Sequence, residues 1–168
     1  MANPEDQQSK TINAREFLVL GLFLAICFVI AAIGSFLTFP SLSPWYANLE
    51  KPSWNPPNYL FGPVWTSLYT MMAISAWLVW LRERELFTGW PMRFFFLQLV
   101  LNCIWSGLFF ALKSPGIAFI EILFLWIAIA GCIVFFFRVR PIAAWIMIPY
   151  FLWVSFAACL NFTIWRLN

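Results

Sequence analysis

Few side chains in this sequence can do chemistry, and most of those that can lie inside apolar runs. There is no histidine, which removes histidine-based acid–base catalysis and the commonest haem-iron ligand, leaving only Cys, Met or Tyr as weaker axial groups. Cys27, Cys103, Cys132 and Cys159 fall on different apolar segments with no Cys-x-x-Cys spacing. They read as small core residues, not as a disulfide framework or a zinc site. No glycine-rich phosphate loop and no carboxylate pair within one span is visible, so no metal and no cofactor is required. What remains is a set of polar and aromatic side chains at helical spacing. Trp153, Ala157 and Asn161 are four apart and share a helix face; Asn102, Trp105 and Phe109 do so at three and four. Trp65 and Tyr69 make a third stripe, and Ser35 and Thr38 a fourth. Glu121 is the one carboxylate placed inside a span. A charge at the bilayer centre costs roughly 2.5 to 3.5 kcal/mol on insertion scales, so Glu121 is expected to face the bundle or water and to find a donor. Asn102 and Asn161 suit interhelical hydrogen bonding as well as they suit ligand contact, and Glu121 reads more readily as structural than as ligand-binding.

The elements that must position these groups follow from composition. Of 168 residues, 63% are hydrophobic and 10% charged, and the mean hydropathy is +0.83. That leaves too little polar surface to cover a soluble globule. Runs of about 20 apolar residues, enough to cross a roughly 30 Å hydrocarbon core, occur at Phe17–Phe39, Gly62–Leu81, Met92–Leu112, Ile117–Phe137 and Ile142–Trp165. The expected fold is an all-α, five-helix transmembrane bundle over residues 17–168 in the lipid bilayer, behind a polar N-terminal tail at 1–16. The first run has no small-residue cleavage site with a soluble domain behind it, and is read as a retained helix. Short connections at 82–91, 113–116 and 138–141 predict sequential antiparallel neighbours. Lys10, Arg15, Arg82, Arg84, Arg93, Arg138 and Arg140 fall on one side, against Lys51, Lys113 and Arg166 on the other. That asymmetry predicts a cytoplasmic N-terminus, with the 40–61 connection outside. The net charge of +3 is spread over helix ends and calls for no nucleic-acid partner.

The chain has 11 tryptophans. Trp45, Trp80, Trp90 and Trp165 lie near predicted helix ends and fit an interfacial aromatic belt; Trp105 and Trp153 lie too deep for one. Between the first two runs sits "KPSWNPPN", Lys51–Asn58, within a stretch from Pro40 to Pro63 that carries six prolines. Fixed φ angles lower the entropy such a segment loses on ordering, which suits a stiff lid. Trp54 and Pro56, with Trp45, Tyr46 and Tyr59, are expected beneath it, while Glu50, Lys51, Asn55 and Asn58 face water. Most of the polar groups singled out above fall in the half of the bundle this lid covers. Gly107 and Ala111, four apart on the third run, permit close helix approach.

"WYANLEKPSWNPPNYLFGPVWTSLYTMMAISAWLVW" at Trp45–Trp80, "LNCIW" at Leu101–Trp105 and "PYFLWVSFAACLNFTIW" at Pro149–Trp165 together resemble the tryptophan-rich sensory protein/translocator protein (TspO/MBR) family. The resemblance covers nearly everything after the tail. It implies five helices around a cavity beneath the first loop that binds porphyrins such as protoporphyrin IX, isoquinoline carboxamides and, in animal members, cholesterol. It also implies frequent homodimers, here through Gly107 and Ala111. The family's cavity tryptophans fall on Trp65 and Trp153, its third-helix asparagine on Asn102 and its small fifth-helix residue on Ala157. Members are credited with sensing, carrying or scavenging tetrapyrroles, with transport, and with light- and oxygen-dependent porphyrin breakdown. In that last case Trp65 and Trp153 would be the oxidisable catalytic groups. Two departures stand out. Glu121 replaces an aspartate common in the family, and the stretch Leu160, Asn161, Phe162, Arg166 lacks the tyrosine of the sterol pattern, which counts against a sterol partner.

Overall fold

The computed structural model describes residues 13–86 and 88–168. The expectations for residues 1–12 of the polar tail lie outside that range. Five helices account for nearly all of it: α1 (Ala14–Thr38), α2 (Asn58–Glu83), α3 (Trp90–Ser106), α4 (Pro115–Val139) and α5 (Pro141–Leu167). All five are long and apolar enough to cross a membrane, and no strand occurs among the described residues.

Local chemistry sets the ends. Asn13 and Glu16 form a reciprocal capping box at the start of α1. Prolines in the first turns of α3, α4 and α5 stand where the missing N–H has no intrahelical partner to lose. Arg84, left-handed at φ 59°, stops α2, and its N–H closes on the Trp80 carbonyl. Pro63 and Pro149 lie inside α2 and α5, where neighbouring helices make such interruptions tolerable. The Ser67 hydroxyl donates to the Pro63 carbonyl at 2.9 Å.

Packing closes a ring in the order α1, α2, α5, α4, α3 and back to α1. The expectation that every short connection joins close neighbours fails at α2–α3, which touch only marginally. The Arg84–Gly89 connection is long enough to carry the chain past the end of α1, which packs against both. Glu16 ties that end down: its carboxylate pairs with Arg84 and its carbonyl accepts the Trp77 indole N–H at 2.8 Å. Small residues bring α2 and α5 together, with Ala73, Ala76, Ala143 and Ala144 buried and the Ser75 hydroxyl donating to the Ala143 carbonyl at 2.6 Å. Phe95, Met92, Phe136 and Met147 are fully buried in the core of the bundle.

One part of the belt expectation needs correction. Trp80 is only 2% exposed, packed inside with the Arg84 guanidinium 4.9 Å from its ring. Trp45 lies edge-on to Phe109 and Phe110 over the bundle's end, whereas Trp90 and Trp165 do stand exposed. Cys159 is exposed on α5, not in the core.

Candidate functional site

The connection between α1 and α2 is more helical than its prolines suggest. After Thr38 the chain turns through a 3-10 segment, Phe39–Ser41, and a π-helical turn, Leu42–Tyr46, before the extended stretch that leads into α2. These two turns fold over the end of the bundle and roof a cavity of about 390 Å³ enclosed by α1, α2, α3 and α5. That volume falls in the range typical of small-molecule sites, ~300–1,000 Å³. Among the described residues that line it none carries a formal charge.

Each wall comes from one helix. α1 contributes Ser35 and Thr38, α2 Trp65 and Tyr69, α3 Asn102 and Trp105, and α5 Trp153, Ala157 and Asn161. The helical spacings therefore bring Ser35, Trp65, Tyr69, Asn102, Trp105, Trp153, Ala157 and Asn161 to one cavity, with Thr38 and Phe109 beside them; Trp54, Pro56 and Glu121 do not line it. Trp54 lies outside the cavity, packed edge-on against Phe156 at 5.7 Å. Tyr59 lies in the first turn of α2 and is 79% exposed, so it is no part of the lid's underside.

Aromatic contacts run along both sides of the cavity. Trp65 leans on Tyr69 at 5.7 Å and meets Tyr150 at 6.4 Å. Trp153 lies between Phe61 at 5.9 Å and Phe156 at 5.5 Å. Trp105 stacks on Phe109 at 5.3 Å. Phe61, Phe156 and the roof residue Leu42 line the cavity without having been singled out from the sequence. In a chain with 20 phenylalanines nothing in their type distinguishes them.

The polar groups are wired to each other. At the inner end the Tyr69 hydroxyl donates to Asn102 Oδ1 at 2.7 Å, Asn102 Nδ2 donates to the Tyr150 hydroxyl at 3.0 Å, and Tyr150 donates to Gln98 Oε1 at 2.9 Å. Near the roof, Trp105 Nε1 donates to Asn161 Oδ1 at 3.0 Å, while Asn161 Nδ2 donates to the Pro115 carbonyl at 2.7 Å. Both asparagines thus hold helices together at the cavity wall. Glu121 departs from expectation: it is 8% exposed and neither carboxylate oxygen has a hydrogen-bond partner. It sits on the packed face of α4 with Ala118, Ile122 and Leu125, away from the cavity.

Besides the ring contacts of Trp45 and Tyr46 with Phe109 and Phe110, the roof is braced in four places. The Tyr46 hydroxyl donates to Asn55 Oδ1 at 3.3 Å. Lys51 Nζ lies 4.9 Å from the Tyr46 ring and donates to the Ala47 and Leu49 carbonyls. Asn168 takes both backbone groups of Glu50, accepting from its N–H at 3.0 Å and donating to its carbonyl at 3.1 Å. The contact of Trp54 with Phe156 is the fourth. Of the residues expected in water, Asn55 is engaged with Tyr46, and Asn58 lines the cavity mouth.

Gly107 and Ala111 occupy a π-helical turn, Gly107–Ala111, that extends α3. Ala111 is exposed, but Gly107 faces α1 of its own chain, with its would-be Cβ 3.8 Å from the Leu37 side chain.

The TspO/MBR family model matches residues 23–166. A tryptophan-rich protein TspO of Chlorobaculum tepidum is 40% identical over 161 residues, covering 92% of this chain and 98% of its own. A tryptophan-rich sensory protein of Cereibacter sphaeroides is 36% identical over 146 residues, 87% of this chain and 89% of that one. The translocator protein of Homo sapiens is 39% identical over 127 residues, 74% and 75% of the two chains. With five membrane-length helices and a family match over most of its length, the chain is an integral membrane protein that belongs to the TspO/MBR family.

Proposed function

We propose that this protein binds a tetrapyrrole of the protoporphyrin IX class in the cavity beneath the α1–α2 connection, and acts as a sensor, carrier or scavenger of that pigment. Family membership supports the broader reading of a membrane-embedded ligand-binding or sensor protein. The observation that carries the finer one is the uncharged cavity walled by Trp65 on α2 and Trp153 on α5. A flat, apolar macrocycle gains by stacking on such rings. Burying a few hundred Å² of its faces contributes on the order of 10 kcal/mol gross, and association costs reduce this to the micromolar range. The same cavity suits synthetic isoquinoline carboxamides.

Binding is favoured over passage through the bundle. Beyond Tyr69 and Asn102 the interior is filled by fully buried side chains, including Met72, Phe95, Phe136 and Met147. The positive-inside count supports an orientation with the roof away from the cytoplasm, and Ala111 on an exposed turn supports a homodimer contact there. A spectroscopic titration of the detergent-solubilised protein with protoporphyrin IX, comparing Trp65→Phe and Trp153→Phe with Trp90→Phe, tests the proposal.

A further inference from the structure

We propose that the end of the bundle opposite the roof carries a site for an anionic phospholipid headgroup, built on Arg93 of α3 and Arg138 of α4. The two helices meet there through a plate of aromatic rings. Trp90 stacks on Phe135 with centroids 6.1 Å apart and planes 15° from parallel, and Phe94 joins at 5.0 Å from Phe135. The Arg93 guanidinium lies 5.3 Å from the Trp90 ring, and the Arg138 guanidinium lies 5.5 Å from the Phe135 ring. Two cations from different helices are thus held over adjacent stacked rings. A guanidinium resting on a ring keeps its N–H edge free for a bidentate oxyanion contact.

Among the described residues the ion pair at this end is Arg84 with Glu16, and Arg93 and Arg138 have no carboxylate partner. Both are exposed, as is Trp90 at 60%, a tryptophan placed where the bilayer interface begins. The plate also depends on Gly131. A Cβ at that position would lie 2.4 Å from the Phe94 ring, so any side chain there pushes Phe94 out of the stack.

The surface continuing from each arginine selects a lipid over a free anion. On α3 the face below Arg93 runs through Leu97, Val100 and Ile104, all exposed and apolar at spacings of three and four. On α4 the face below Arg138 runs through Val134 and Ile127, likewise exposed. Acyl chains fit such stripes, whereas inorganic phosphate would meet only the guanidinium groups. A second copy of the chain is disfavoured, because a two-fold contact here would set unpaired arginines against their own equivalents.

Native mass spectrometry of the full-length protein, given dioleoylphosphatidylglycerol and dioleoylphosphatidylcholine in equal amounts, tests the site. The wild type should retain the anionic phosphatidylglycerol in preference. Arg93→Gln and Arg138→Gln should each lower that preference about fivefold, with unchanged thermal unfolding, while Arg82→Gln, off the plate, should leave it intact. Gly131→Ala should lower it with both charges present. Equal retention of the two lipids by the wild type, an equal loss in Arg82→Gln, or no loss in Gly131→Ala would overturn the proposal. So would displacement of the lipid by an equal concentration of inorganic phosphate, which would mark a simple anion site. Conversion of a dimer to a monomer by Arg93→Gln would assign the plate to contact between copies.

Discussion

The Tyr69 hydroxyl donates to Asn102 Oδ1 at 2.7 Å, and through that one bond the cavity wall on α2 is joined to α3 and, through Tyr150, to α5. All four members of the chain, Tyr69, Asn102, Tyr150 and Gln98, are buried, where a polar group left without a partner costs more than it would in water.

This chain sets an order of stability among conservative variants. Tyr150→Phe leaves both Asn102 Nδ2 and Gln98 Oε1 without their partner, at about 1–3 kcal/mol for each stranded group. Tyr69→Phe removes one donor from an asparagine that also lines the cavity, where ligand or water can replace it, and should cost about 1 kcal/mol. Thermal unfolding in detergent should therefore fall further for Tyr150→Phe, by about 2–4 °C for each kcal/mol in a chain of this size. The reverse order would mean the network does not couple the helices as described.

The five helices were legible because hydrophobic length alone identifies a span, and the expected and observed ends differ by only a few residues. The cavity faces were legible too, since spacings of three and four on a helix do not depend on tertiary context. That is how Trp153, Ala157 and Asn161 came together on one wall. Tyr150 and Gln98 could not be read this way, because a polar tip on a core side chain declares itself only when its partner on another helix is in place. Trp80 shows the same limit. A tryptophan near a helix end is interfacial or buried according to its neighbours, and here Arg84 turns back over its ring. Glu121 remains without a partner, and nothing in the structure accounts for its being a glutamate.

Orientation is open to chemical labelling. Asn48 is exposed in the roof connection, so Asn48→Cys in a cysteine-free background should react with an impermeant maleimide in intact cells. Reaction only after lysis would place the roof in the cytoplasm.

The homodimer proposal calls for substitution at Ala111 in preference to Gly107. A larger side chain at Gly107 would meet Leu37 of its own chain, confusing assembly with folding. Ala111→Leu, on the exposed turn, should shift the detergent-solubilised mass from dimer toward monomer without changing thermal unfolding. An unchanged dimeric mass would exclude this surface.

Light offers a separate test of chemistry. Without histidine ordinary acid–base cleavage of a macrocycle has few candidates, but a bound porphyrin is a photosensitiser, and the indoles of Trp65 and Trp153 line its proposed site. Illumination in the presence of dioxygen as oxidant should yield a new absorbing product, more slowly in Trp153→Phe and not in the dark. Bleaching at the rate seen with albumin or empty detergent would leave a binding protein and no enzyme.

The most direct measurement is the protoporphyrin IX affinity of four proteins in parallel, followed by the pigment's absorption band. The wild type should bind in the micromolar range. Trp65→Phe and Trp153→Phe, which alter the cavity walls, should each weaken binding several-fold, the loss expected of one aromatic contact. Trp90→Phe, 60% exposed at the opposite end, should bind as the wild type does. Equal weakening in all three variants, or none in any, would contradict a tetrapyrrole site between α2 and α5.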